Sequence, residues 1–311
     1  MLSRVGEKIY WMSRHMERAE NLARILGVTS NVVLCSTPET QQQNLIAPLT
    51  ITASTKAFFD AHETISLPAL IDFMGFDPEN PSSIYACIES ARDNAHAVRW
   101  QITSEMWETL NATWIEMRSF QRNVTGPEAN RFFDWVKERS HLFRGVTYGT
   151  IMRGEAFNFS RLGTFIERAD DTARILDVKY HILLPRVEDV GGALDYYQWA
   201  ALLKSVSSFE TYRTIYRDQI RAINVAELLI LDRRMPRSLA ACLEQIDQAL
   251  SRVQGQNDQP AKRLAGELQA RLVHGDIDEI FRGGLHEYLT VFLEDIHDLG
   301  QRIERAYLGA I

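Results

Sequence analysis

Cysteine is nearly missing from this sequence. Its three copies, Cys35, Cys87 and Cys242, are odd in number and far apart. That excludes a disulfide framework and a cysteine-built zinc cluster, and it points to a reducing cytoplasm. Long apolar runs are missing too. No stretch approaches the ~20 residues that a membrane-spanning helix needs. The opening carries Arg4, Glu7, Lys8, Arg14, Glu17 and Arg18, so it has no apolar core of a secretory leader. The formal net charge is −7 and no dense Lys or Arg run occurs, which leaves no basic stripe for a nucleic-acid backbone. There is no Gly-rich phosphate loop, no dinucleotide fingerprint and no Gly-x-Ser-x-Gly elbow. Alternating strand patterns never exceed five residues.

What is present reads as helix almost throughout. A first helix is predicted from Ser3 to about Leu34, ended by Ser36-Thr37-Pro38, with a second from Glu39. Shorter helices follow: Leu67 to Met74, a helix capped by Ser82 or Ser83 and running through Trp100, and Ser104 to Arg122. Glu128 to Thr150 leads through a bend to a helix from Asn158 or Ser160 to Pro185. Met235-Pro236-Arg237-Ser238 caps a helix through Val253, and Asp276 opens a last long helix with an interruption at Gly283-Gly284. The expected fold is all-α: one multi-helix bundle with one continuous core. It is a single domain over residues 1–311, with related halves of about 1–153 and 154–311 and an internal pseudo-two-fold repeat.

The repeat rests on a phrase written three times. Met16-Glu17-Arg18-Ala19 recurs as Ile166-Glu167-Arg168-Ala169 and as Ile303-Glu304-Arg305-Ala306. The first two copies extend further at one offset of 150: Glu20 matches Asp170, and Arg24 matches Arg174. Met12, Met16, Ala19, Ala23 and Leu26 form an apolar seam stepping by 4, 3, 4 and 3. Leu162, Ile166, Ala169, Ala173 and Leu176 repeat the steps, and Leu299, Ile303, Ala306 and Ala310 repeat them again. The alanines allow close helix approach, so the three helices are expected to pack together.

Glu17 and Arg18 are sequence neighbours and point about 100° apart, so they cannot pair along one helix. Arg18 lies among Trp11, His15, Leu22 and Ile25. A guanidinium in such surroundings needs a carboxylate from another helix, or a ligand. Glu of one copy is therefore expected to meet Arg of another. The candidate residues are Glu17, Arg18, Glu20, Arg24, Glu167, Arg168, Asp170, Arg174, Glu304 and Arg305, with Arg153 and Glu155 from the bend between halves. They read either as a core charge network or as a ligand site. A sealed, fully paired cluster favours a scaffold; a concave one open to solvent favours an enzyme.

Other chemistry is thinner. Trp100, Trp107 and Trp114 recur every seven residues and read as a core stripe rather than a stacking platform. A di-metal bundle uses two Glu-x-x-His helices. Glu294 to His297 has that spacing, with Asp93 to His96 as a weaker echo. Neither a metal nor another cofactor is expected.

Ser3-Arg4-Val5, Tyr10 to Asn21, Ala91-Arg92-Asp93-Asn94-Ala95, Ser104-Glu105-Met106-Trp107, Gly163 to Asp170, Asp177 to His181, Phe209-Glu210 and Pro236-Arg237-Ser238-Leu239 together resemble the bacterial alpha-E family. That family is a predicted α-helical domain with a Glu-Arg motif. The resemblance spans essentially the whole chain. It implies company with a circularly permuted ATP-grasp protein and with a transglutaminase-like cysteine peptidase, hence ATP-dependent amide-bond chemistry on a peptide. It assigns no catalytic residue here. His96 stands where the family pattern has Arg. The expected role is a helical scaffold or substrate-presenting partner, not catalytic on its own. The alternative is an enzyme whose Glu/Arg core binds a peptide-like or amino-acid-like substrate.

Overall fold

A computed structural model describes residues 3–34, 37–120, 124, 126–182 and 192–309. Among them are fifteen α-helices and no strand, so the protein is all-α. The helices are α1 (Ser3–Leu34), α2 (Pro38–Ile51), α3 (Thr55–Ala61), α4 (Leu67–Ile71), α5 (Ile84–Ala97), α6 (Ser104–Met117), α7 (Pro127–Thr150) and α8 (Glu155–Ile182). The series continues with α9 (Ala193–Ser205), α10 (Phe209–Tyr216), α11 (Ala222–Ile230), α12 (Leu239–Leu250), α13 (Gln259–Val273), α14 (Ile277–Gly283) and α15 (Leu285–Ile303). π-helical turns follow α4 at Asp72–Phe76 and α15 at Glu304–Leu308.

The two longest helices, α1 and α8, form the axis. Their cross-helix hydrogen bonds join residues 147 to 153 apart, a nearly constant offset, so the two helices run side by side in the same direction. Close approach is set at Gly163, where a Cβ would fall 2.1 Å from the Tyr10 carbonyl oxygen. One turn earlier the Ser13 and Ser160 hydroxyls bond at 2.8 Å. Around this axis α5 and α7 pack on α1, while α12 and α15 pack on α8.

Features of the first half recur in the second. Ser83 caps α5 by accepting from the Ala86 N–H at 3.1 Å, and its hydroxyl donates to the Asp77 carbonyl at 2.6 Å. Ser238 caps α12 from Ala241 at 3.0 Å and donates to Asp232 at 2.7 Å, six residues back in both cases. The end of α2 closes with Ser54 N–H on the Leu49 carbonyl and Ala53 at φ 52°. The end of α9 closes with Ser208 N–H on Leu203 and Ser207 at φ 55°. Cys87 and Cys242 follow their caps by four residues, and both are fully buried.

Several expectations need correction. The apolar interior is two clusters rather than one continuous core. Met12 and Met16 belong to the larger, with α8, α12, α13 and α15; Ala19, Ala23 and Leu26 belong to the smaller, with α4, α5 and α7. The division falls where α1 carries its buried charges. Helix α8 starts at Glu155, because the Gly154 carbonyl already accepts the Asn158 N–H at 3.2 Å. Its expected end at Pro185 lies outside the described residues. Helix α6 stops at Met117, and its buried face is Met106, Leu110, Thr113 and Met117. Trp100 is 63% exposed, so the tryptophans are not a core stripe. Instead Trp107 carries the Arg92 guanidinium at 5.4 Å and Trp114 that of Arg118 at 5.7 Å. The described chain closes on itself: Ser3 of α1 lies against Gly309, just after the second π-helical turn.

Candidate functional site

The repeated phrase meets itself across the α1–α8 seam. Arg168 grips Glu17 with two donors, Nε at 2.8 Å from Oε1 and Nη2 at 2.9 Å from Oε2. Reciprocally, Arg18 grips Glu167 with Nε at 2.5 Å from Oε1 and Nη2 at 3.1 Å from Oε2. Such two-donor geometry is the strong form of an ion pair. It forms because each helix carries Glu and Arg in adjacent positions, so Glu points at the partner while Arg reaches around it.

More guanidinium groups close the network. Arg144 of α7 donates to Glu17 Oε2 at 2.9 Å and also to Glu20. Arg237, immediately before the Ser238 cap, inserts its Nη1 3.1 Å from Glu17 Oε1 and 2.7 Å from Asn21 Oδ1, and its Nη2 2.6 Å from Glu20 Oε1. Arg24 completes Glu20 at 2.8 Å, and Ser140 donates to its other oxygen at 2.7 Å. On the α8 side, Arg14 adds a bond to Glu167 at 2.7 Å. Asp170 takes both donors of Arg174, at 2.7 and 3.2 Å, and Asn21 donates to Asp171.

Glu17, Glu20 and Glu167 are all at most 3% exposed. Burial works to raise each carboxyl, but the charges outweigh it. Arg168 and Arg237 hold Glu17 below its ordinary range. His141, Arg237 and Arg144 hold Glu20 well below. Arg14 and Arg18 bring Glu167 down to about 2. Asp171 goes the other way: burial, then Glu167 and Asp170, push its carboxyl well above the usual range. Burial and the neighbouring Arg18 push His15 down to about 4. Burial lifts both Cys87 and Cys242 to about 12, so neither thiol is a ready nucleophile. Cys35 lies outside the described residues.

The third copy of the phrase does not join. Glu304 sits in the π-helical turn, and Arg305 is exposed and bonded to Gln301 at 3.3 Å. The turn packs on the start of α1, about three helical turns before Glu17. The bend residues also stay apart. Arg153 donates to the Tyr148 carbonyl at 2.6 Å and lies 4.1 Å over the Phe157 ring. Glu155 lines a separate broad depression of about 750 Å³ beside Trp100 and Met152. Tyr148 and Phe157 of the bend do border a cavity of about 110 Å³ that includes Arg144, Arg161 and Arg168. On the opposite flank, a cavity of about 170 Å³ meets Arg18, Glu167, Asp170, Asp171 and Arg174.

Sequence reasoning missed Arg14, Asn21, Ser140, Arg144, Asp171 and Arg237 as members of the network. One signal was legible: Pro81-Ser82-Ser83 and Pro236-Arg237-Ser238 align as a second repeat, with Cys87 matching Cys242. Nothing in the spacing of α7 marks Arg144. Among the described residues, no three His, Cys, Asp or Glu side chains gather so as to hold a metal ion. None of the described helices is long and apolar enough to cross a membrane.

Comparison with known proteins agrees with this architecture. Uncharacterized proteins of Mycobacterium tuberculosis and Mycobacterium bovis are 24% identical over 320 aligned positions, covering 94% of this chain. The chain spans only 35% of the length of those relatives. No solved structure matches significantly. The family model described as a predicted alpha-helical domain with a conserved ER motif matches residues 1–308. The chain, with its two Glu-Arg pairs locked across one helix seam, belongs to the Alpha-E family.

Proposed function

We propose that the chain is a helical scaffold, or a substrate-presenting partner, in a cytoplasmic peptide- or amide-ligase system built on a circularly permuted ATP-grasp protein. A transglutaminase-like peptidase is a second partner in this reading. The observation that carries it is the closed charge network. Three buried glutamates are each held by two or more guanidinium groups drawn from α1, α7, α8 and the turn before α12. Pairing of this kind fixes geometry and leaves none of these three glutamates free to act as a base. The length of the mycobacterial relatives supports a domain that works joined to others, and the family resemblance supplies the partner class.

The test is co-purification of the chain with its neighbouring ATP-grasp protein, followed by ATP turnover with and without the chain. A stable complex with faster, peptide-dependent turnover is the expected result. No complex, together with unchanged turnover, refutes the reading. One observation favours a second reading, an enzyme acting on a peptide-like substrate: the network is flanked by two cavities whose linings include its charged side chains. That alternative predicts product from peptide and the isolated chain alone.

A further inference from the structure

The two carboxylate sites differ in one respect that the recurring segments expose. Glu17, Glu20, Asn21 and Arg24 of α1 match Glu167, Asp170, Asp171 and Arg174 of α8 at an offset of 150. The caps Ser83 and Ser238 match in both their hydrogen bonds, so the residues before them, Ser82 and Arg237, occupy matching positions. At the first site Arg237 fills the space with a guanidinium group held by Glu17, Glu20 and Asn21. At the second site the short side chain of Ser82 stands in that position. The space is a cavity of about 170 Å³, bordered by Ser82, Glu167, Asp170 and Asp171 and by Arg18 and Arg174, each already paired with one of those acids, with Ile25 and Ile51 on its apolar side. That volume is far above the ~10–15 Å³ that one water molecule needs.

Charge changes in the same direction. At the first site Glu17 and Glu20 meet four guanidinium groups, those of Arg24, Arg144, Arg168 and Arg237. At the second, Glu167, Asp170 and a third carboxyl, Asp171, meet Arg14, Arg18 and Arg174. The second site thus has one acid more and one cation fewer.

We propose that this cavity binds an alkylguanidinium cation, such as the side chain of an arginine, in the place that Arg237 fills in the other half. The matching occupant is itself a guanidinium, whose planar fork suits two or three acceptor oxygens at once. Ile25 and Ile51 give the aliphatic stem an apolar wall, the usual arrangement for such a side chain. The acids do not gather as metal ligands, which favours an extended organic cation over a metal ion. Asp171, held toward its protonated form by burial and by Glu167 and Asp170, is the group such a cation would relieve. The inference stands apart from the scaffold reading, since binding is a property of the chain alone. Its failure leaves the partner experiment unaffected.

The test is isothermal titration calorimetry of the full chain with N-butylguanidinium chloride, alongside N-butylurea, which has nearly the same shape and no charge. One saturable site for the guanidinium compound and none for the urea is expected. Ser82→Arg should abolish binding while keeping the melting temperature at or above the parent's, because the chain then supplies its own guanidinium. Asp170→Asn, a milder change, should weaken binding by roughly tenfold or more, the loss of one charge-assisted hydrogen bond. Equal heats for the two compounds, binding that never saturates, or full affinity retained in folded Asp170→Asn protein would each overturn the proposal. If Ser82→Arg does not fold, Asp170→Asn carries the decision.

Discussion

Glu17 is held by Arg168, Arg144 and Arg237 together, and this decides what mutating it would do. Replacing Arg168 with Leu removes its two-donor grip and leaves Cys242 and Phe165 beside a partly unpaired carboxylate. Breaking one side of a buried pair typically costs about 3–5 kcal/mol. Arg168→Leu is therefore expected to lower the unfolding free energy, read from chemical denaturation, by an amount in that range. A two-residue view would predict rescue by adding Glu17→Gln. The structure predicts only partial rescue, because Glu17→Gln also removes the charge shared by Arg144 and Arg237 and leaves Glu20 to hold both. A double mutant as stable as the parent would show that Glu20 and Asn21 suffice to hold Arg237. Arg18→Leu should be milder, since Arg18 is a quarter exposed and Glu167 keeps Arg14.

Elements are positioned by small polar residues at their ends and crossings. Ser238 both caps α12 and ties back to the Asp232 carbonyl. Loss of a serine cap costs about 0.5–2 kcal/mol, and here the cap also fixes the neighbouring Arg237. Ser238→Ala should reduce stability by at least that amount in a urea melt. A change near zero would mean that Arg237 holds the turn without its cap. Much at this scale was legible in sequence: helix periodicity, caps within Ser82-Ser83 and Met235 to Ser238 and at Asp276, and the pairing of Glu-Arg copies across helices. The rest was hidden for physical reasons. A seam says that a helix packs, but not which of three similar helices it meets. The third phrase is equivalent in sequence, yet Glu304 and Arg305 lie in a turn that packs on the start of α1, away from the network. Arg144 and Arg237 were invisible because long side chains from distant segments converge without any local pattern.

For the whole molecule, the buried charges set the response to acid. Glu17, Glu20 and Glu167 have folded-state values below the ordinary 4.5, Glu167 at about 2. Their contribution is full above pH 4.5 and is lost as pH falls toward 2. His15, depressed from 6.5 to about 4, begins the loss earlier, because the unfolded chain takes up its proton first. Asp171 has the opposite sign: its raised value costs stability as pH rises above 3.8. Thermal melts should therefore decline steeply below pH 4.5, while between pH 6.5 and 4 the loss from His15 is opposed by the gain from Asp171, whose penalty falls away as pH drops toward 3.8. A melting temperature flat from pH 7 to 3 would contradict the buried network. Ser3 and Gly309 lie against each other at one corner of the protein. A domain whose entry and exit lie side by side behaves like a bead hung from one point: segments joined at either end leave from the same corner. It can be inserted into a longer polypeptide or circularly permuted with little strain. Linking the ends with a few glycines and reopening the chain in the exposed stretch around Asn257 should give a protein with an unchanged helical spectrum.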